Sequence, residues 1–240
     1  MKYEKIHKAK FLERPNRFIA MVELDGKTEI VHVKNTGRCS ELLVEGATVY
    51  LNEPSGKERK TKFDLVAVEK KKTNGDCILI NMDSSAPNYA VAEWLPKSGL
   101  FADDAIYKSE VKKGNSRFDF SIAEKVVFGT EIKEKTTYLE VKGVTLEQNG
   151  TVMFPDAPTE RGVKHLRELS DLCLEGFGSA IIFVVQMKNV DSFKPNKATH
   201  PEFTSALKRA YQCGVKIYAY DCVVTADEIK INEPIKNIIL

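Results

Sequence analysis

The chain has 240 residues, 42% of them apolar and 29% charged, with a net charge of +2; that balance excludes a disordered chain and gives length for one large domain or two small ones. No apolar run approaches the roughly 20 residues of a membrane-spanning helix, and Met1-Lys2-Tyr3-Glu4-Lys5 lacks the apolar stretch of a signal peptide, so the expected setting is cytoplasmic, without a membrane partner. Cys39, Cys77, Cys173, Cys213 and Cys222 are scattered, with no Cys-x-x-Cys pair, which argues against a disulfide framework or zinc ribbon and for reduced thiols.

From the amino terminus, Lys2, Lys5, Lys8, Lys10, Arg14 and Arg17 form one basic cluster, and Lys57, Arg59, Lys60, Lys62, Lys70, Lys71 and Lys72 a second; residues 1–88 carry +3 and the remainder −1. Such clusters neutralise phosphates or simply solvate a surface. Alternation and turn signals predict short strands over residues 17–24, 27–33, 47–52, 62–70 and 77–82, with turns at Asp25-Gly26 and Asn74-Gly75-Asp76. Five short, evenly spaced strands suggest a small barrel, and an oligonucleotide-binding (OB) barrel fits the size and basic rim. Asp83-Ser84-Ser85-Ala86-Pro87-Asn88 breaks the pattern, which sets domains at residues 1–83 and 84–240. A short helix over residues 89–94 is expected next, with Asn88 as its cap.

The second part changes rhythm to mixed α/β. Strands are expected over residues 116–122, 136–146, 151–154, 180–185 and 216–224, and helices over 160–174 and 201–213, in the order β-β-β-α-β-α-β. The unbroken apolar run at 180–185 reads as a strand buried on both faces. A mixed sheet flanked by helices follows.

In a strand over 136–146, Glu140 and Lys142 share a face while Leu139 and Val141 point away. Glu-x-Lys alone means little, since it recurs at Glu58, Glu69, Glu110, Glu131 and Glu228. Only Glu140 stands in an apolar-flanked strand. In the preceding strand Phe118, Phe120 and Ile122 are expected on one face and Arg117, Asp119 and Ser121 on the other. A hairpin would set Asp119 beside Glu140, and two converging carboxylates suit Mg²⁺ or Mn²⁺. Such an ion activates water and draws charge from a phosphoryl oxygen, and Lys142 can orient the water and offset developing charge. Glu110 is a candidate auxiliary ligand. Arg161, Lys164, His165 and Glu168 fall on one side of the following helix, opposite its apolar face; Arg161, His165 and Arg117 are candidates for holding phosphate, and Gln186 ends a buried strand near the site. Glycine-rich phosphate loops and the Gly-x-Ser-x-Gly elbow are absent, and His7, His32, His165 and His200 show no zinc spacing.

Long ordered blocks, Phe11-Leu12-Glu13-Arg14-Pro15-Asn16-Arg17-Phe18, Asn35-Thr36-Gly37-Arg38-Cys39-Ser40-Glu41-Leu42, Ser116-Arg117-Phe118-Asp119-Phe120, Glu140-Val141-Lys142-Gly143-Val144-Thr145-Leu146 and Phe154-Pro155-Asp156-Ala157-Pro158-Thr159-Glu160-Arg161, resemble the sugar fermentation stimulation protein A family over nearly the whole chain. The resemblance implies an N-terminal OB barrel and a C-terminal domain similar to PD-(D/E)XK nucleases, with Asp119, Glu140 and Lys142 as the Asp, Glu and Lys of that pattern. It also implies binding of DNA and cleavage of DNA or RNA, or else a DNA-binding regulator of sugar-metabolism genes without turnover. Phe118 stands where the nuclease name has Pro, and His200 where the family carries an acidic residue near a helix cap. Arg14, Arg17, Asn35 and Arg38 are candidates for gripping a nucleic-acid backbone, with a tight turn and an Arg38–Glu41 pair as the alternative. Strandedness, DNA against RNA, and a homo-oligomer are left open.

Overall fold

The computed structural model describes residues 1–35, 37–55, 59–72, 75–129 and 131–240. Thr36, Lys57, Glu58 and the Asn74 turn position therefore lie outside the described residues.

Six strands come first: β1 (Ile6–Asn16), β2 (Ile19–Leu24), β3 (Lys27–Val33), β4 (Thr48–Asn52), β5 (Phe63–Lys71) and β6 (Cys77–Asn81). They run in the order β3-β2-β1-β4-β5-β6, and a parallel β3–β5 pairing closes β1 to β5 into a five-strand OB barrel. Closure removes the open edges that would otherwise seek partners. Strand β1 is not among those expected from sequence. Its inward residues are Ala9 and Phe11, set among Lys8, Lys10, Glu13 and Arg14, so its alternation is carried by one small and one large apolar group amid charge.

After the barrel, Ser85 stands at the N-cap position of α1 (Ala86–Trp94) without a side-chain capping bond, and Pro87 lies in the first turn, where a missing N–H is harmless. Asn88 therefore sits inside the helix, not at its cap. There follow β7 (Ile106–Lys113), β8 (Ser116–Phe128), β9 (Glu131–Val144), β10 (Leu146–Gln148), β11 (Thr151–Phe154), α2 (Glu160–Leu174), β12 (Gly178–Val185), β13 (Ser192–Pro195), α3 (Pro201–Gln212), β14 (Lys216–Val224), β15 (Ile229–Pro234) and β16 (Asn237–Ile238).

The main sheet has the order β15-β14-β12-β9-β8-β7 and is mixed, β12 running parallel to both β9 and β14. The expected third strand of the meander, β11, leaves this sheet and joins a four-stranded one, β10-β11-β13-β16. Edge strand β7, with no buried residue and four charged ones among its eight, takes the outer place beside β8. Both helices α2 and α3 cover one face, where Val163, Leu166, Leu169 and Phe203 pack with Ile181 and Phe183. Helix α1 covers the other, with Val91 and, just past its end, Leu95 against Leu139, Val141 and Ile182.

The two units share one hydrophobic core, which runs from Val31 and Leu65 of the barrel to Ile181 and Phe183. Polar contacts add to it. Gln186 Nε2 donates to Asn81 Oδ1 at 2.8 Å and to the Asp83 carbonyl at 3.1 Å, and Lys70 pairs with the buried Glu147 at 2.6 Å. Residues Met1 to Tyr3 precede the barrel but pair with the second unit: Lys2 bridges Glu228, and Tyr3 N–H donates to the Asp227 carbonyl. Among the described residues no helix is long and apolar enough to cross a membrane.

Candidate metal and phosphate site

The site forms where β8 and β9 part. Their antiparallel ladder runs from Phe128↔Glu131 to Phe120↔Leu139 and stops there. One residue further, the Asp119 carboxylate takes the place of a backbone acceptor: Oδ2 accepts from Val141 N–H at 2.7 Å, and Oδ1 accepts from Asn88 Nδ2 of α1, also at 2.7 Å. The strand rolls at this point. Phe118 lies in the α2-side core, against Tyr138 and His165, whereas Phe120 and Ile122 lie in the α1-side core. Strict alternation, which would put all three on one face, therefore fails at Asp119.

Glu140 is 2% exposed, and its two oxygens are treated differently. Oε1 accepts from Lys142 Nζ and from His165 Nδ1, whereas Oε2 is buried and has no hydrogen-bond partner. Burial pushes Glu140 up, but the His165 hydrogen bond and the Lys142 charge outweigh it and hold the carboxyl below its ordinary value. Asp119 goes the other way. Burial and then the Glu140 charge raise it, and the Val141 N–H, Lys142 and Asn88 only partly compensate. Two neighbouring carboxylates with one buried oxygen unpartnered are an arrangement that an added cation would relieve.

His165 departs from its expected position. It is 4% exposed and faces inward from α2, not away from the apolar side. Arg161 Nε donates to its Nε2 at 3.5 Å, which leaves the ring proton on Nδ1 for Glu140. His165 thus holds the carboxylate, and Arg161 backs His165. Outside this line lies a cleft of about 500 Å³ whose walls include Ser116, Arg117, Arg161, Lys164, His165 and Arg167. Its four exposed cations could meet a phosphate, but three already pair with carboxylates: Arg117 with Glu110 at 3.4 Å, Lys164 with Glu168 at 3.8 Å and Arg167 with Glu202 at 2.6 Å.

Glu110 sits in β7 between the pairs Ser109↔Phe120 and Val111↔Phe118, and so opposite Asp119. Its φ of 55° is left-handed, a conformation that costs a non-glycine residue about 1 kcal/mol or more. Its carboxylate is exposed and pairs with Arg117 at 3.4 Å. Gln186 serves the junction between the units rather than the carboxylate site. The sequence reading missed Asn88 as a partner of Asp119; the available signal was an Asn in the first turn of a helix whose only other strongly polar residue is Glu93.

In the barrel, Arg14 spends its guanidinium on four backbone carbonyls: Gly37 at 2.8 Å, Arg38 and Asn35 at 2.6 Å, and Arg17 at 2.7 Å. Asn35 Oδ1 accepts from Gly37 N–H at 2.8 Å. Both residues therefore organise the loop, as the turn alternative holds, and only Arg17 and Arg38 keep exposed side chains. Gly37 lies so close to Asp156 that a Cβ would collide with its Oδ2, which sets this loop against the second unit just before α2.

A second group of ligand types, Glu160, His200 and Glu202, has donor atoms within 4.8 Å of one another. His200 Nδ1 accepts from Thr159 N–H at 3.3 Å. The neutral ring therefore carries its proton on Nε2, the atom facing Glu160, and offers no lone pair there.

A closed OB barrel sharing one core with a mixed-sheet α/β unit, and an acidic pair with a lysine where two of its strands part, define a two-domain class. The chain belongs to the sugar fermentation stimulation protein family. The model of the SfsA N-terminal OB domain matches residues 12–80, and that of the sugar fermentation stimulation protein RE domain matches residues 85–228. A sugar fermentation stimulation protein homolog of Ruminiclostridium cellulolyticum is 52% identical, the match covering 98% of this chain and 99% of the relative. That of Clostridium beijerinckii is 53% identical over 97% of each. The solved structure of Pyrococcus furiosus SfsA in complex with Ca²⁺ superposes with a TM-score of 0.83 at 25% identity, covering 100% of this chain and 98% of that one.

Proposed function

We propose that the chain is a nucleic-acid-binding protein and a Mg²⁺- or Mn²⁺-dependent nuclease of the PD-(D/E)XK type. The single observation that carries the reading is Glu140 Oε2, a buried carboxylate oxygen without a partner, beside a second, half-buried carboxylate whose proton affinity is raised by desolvation and then by the Glu140 charge. A hard divalent cation fits that pair of oxygen donors, and the complex of the Pyrococcus furiosus relative with Ca²⁺ agrees with such a preference.

Asp119 and Glu140 would hold the cation; Glu110, opposite Asp119 in β7 but turned to Arg117, would have to leave that pair to join them. Bound there, the ion supplies a water of lowered pKa and withdraws charge from a phosphoryl oxygen. The remaining work falls to the chain. His165 fixes the rotamer of Glu140 and keeps Oε2 pointing away from its own ring. Lys142, now on Oε1, is placed to donate to a phosphate oxygen or to the attacking water as negative charge develops. Arg117 and Arg161 in the adjoining cleft hold flanking phosphates. Arg17 and Arg38 extend the basic surface onto the barrel.

The test is incubation of single- and double-stranded DNA and RNA with the purified chain and Mn²⁺, with and without chelator. Cleavage that the chelator abolishes is expected. Tight binding with no cut product from any of the four substrates would instead favour a regulator without turnover.

A further inference from the structure

The barrel carries an apolar surface on its outside. Outward positions of a barrel strand normally meet water and are polar. On β2 and β3 they run from Ile19 opposite His32 through Met21 opposite Ile30 to Glu23 opposite Thr28, so the apolar part is the stretch nearer Phe18. Ile19, Met21 and His32 are half-buried, and Ile30 is 55% exposed. Phe18, at the near end of β2, is 56% exposed. Its mount is stiff. Asn16 Oδ1 accepts from both Phe18 N–H at 2.9 Å and Ile19 N–H at 3.1 Å, and the Phe18 carbonyl accepts from Val33 N–H at 2.7 Å.

Cations stand beside this patch. The carbonyls of Arg17 and Arg38 share the Arg14 guanidinium, which ties the hairpin tip to the loop and leaves two exposed guanidiniums next to an exposed ring. An apolar occupant alone would not call for those charges. An occupant with flat apolar faces strung on an anionic backbone uses both. A duplex keeps its base faces stacked inside and offers only its backbone and groove edges.

We infer that Phe18 and the outer face of β2–β3, flanked by Arg17 and Arg38, form a stacking platform for the bases of an unpaired nucleic-acid strand. The inference rests on the nucleic-acid reading above and adds the strandedness of the substrate. Because Gly37 of the same loop abuts Asp156 ahead of α2, a strand seated there leads towards the basic cleft beside Glu140.

The experiment measures binding of a short fluorescein-labelled oligothymidylate, and of the matching duplex, to the full chain without metal. Phe18→Ala should weaken the single strand roughly ten-fold and leave the duplex within about two-fold of wild type, since only one base–ring contact is lost. Phe18→Trp should bind the single strand as tightly as wild type and show quenched indole emission on binding, with Trp94, half-buried against Tyr220, as the constant background. Phe18 is exposed, so both variants should fold. If wild type binds the single strand and Phe18→Ala binds it equally well, the platform is refuted while the nucleic-acid reading survives. Equal weakening of duplex and single strand also refutes it, as does loss of self-association in Phe18→Ala, which would make the patch an interface between copies. Failure of wild type to bind any nucleic acid removes the parent reading and this one together.

Discussion

Glu140 and Asp119 show how one residue's environment sets another's chemistry. A carboxylate at 2% exposure is tolerated only when its charge is met; Lys142 and His165 meet it through one oxygen and leave the other bare. Asp119 is desolvated and also lies beside a neighbour that is ionised, and its own proton is held more tightly than usual. A raised carboxyl pKa in the folded state means that ionised Asp119 subtracts from stability at neutral pH. Asp119→Asn should therefore melt at or above the wild-type temperature without metal at neutral pH. Its Mn²⁺ affinity, read by calorimetry, should fall at least ten-fold. Unchanged Mn²⁺ affinity would take Asp119 out of the site.

At the scale of elements, the site depends on strands that pair and then part, and on helices packed closely enough to hold them. Gly143 in β9 is where that packing is tightest. A Cβ there would collide with Gln186 Oε1 and stand 2.9 Å from Pro87 Cγ of α1. Gln186 cannot swing aside, because its Nε2 is fixed to Asn81 and Asp83. Gly143→Ala should cost about 2 kcal/mol in urea unfolding, and a neutral result would mean that α1 yields more than its contacts suggest.

Elements with strong periodicity were legible in the sequence. Helix α2 and strands β11 and β14 match the expected spans, and the apolar run of β12 is buried on both faces as read. The elements not foreseen are those whose burial is slight or one-sided, or which are too short to show a period: β1, with Ala9 and Phe11 among lysines; β7, an exposed charged edge; β15 and β16; and β13, buried but only four residues long. Glu140 and Lys142 were legible because strand alternation puts them on one face. The rolled backbone at Asp119, the inward turn of His165 and the carbonyl-bound Arg14 were not, since each is decided by a partner distant in sequence.

At the scale of the molecule, barrel and α/β unit are joined by a common core and by charge. The Lys70–Glu147 pair crosses that junction, Glu147 being 2% exposed. Burial pushes Glu147 up, but Lys70 and the Gly150 N–H outweigh it and hold it below its ordinary value. The stabilisation from this pair is therefore full above the ordinary glutamate pKa of 4.5 and is lost as pH falls through the depressed folded value. Lys70→Met strands the buried carboxylate and should cost about 2–3 kcal/mol at neutral pH. The gap from wild type in thermal melts should narrow on acidification, because a stranded Glu147 can then take a proton. A gap independent of pH would mean that the pair contributes packing rather than charge.

On the proposed reading the barrel would grip a strand and the neighbouring cleft would cut it. The most direct test is Mn²⁺-dependent cleavage of a labelled oligonucleotide by Lys142→Ala beside wild type, with binding read on the same samples. The account predicts that the variant binds as wild type does and that its cleavage rate falls at least a hundred-fold. Cleavage by purified Lys142→Ala at the wild-type rate would contradict it and move the activity away from Asp119, Glu140 and Lys142.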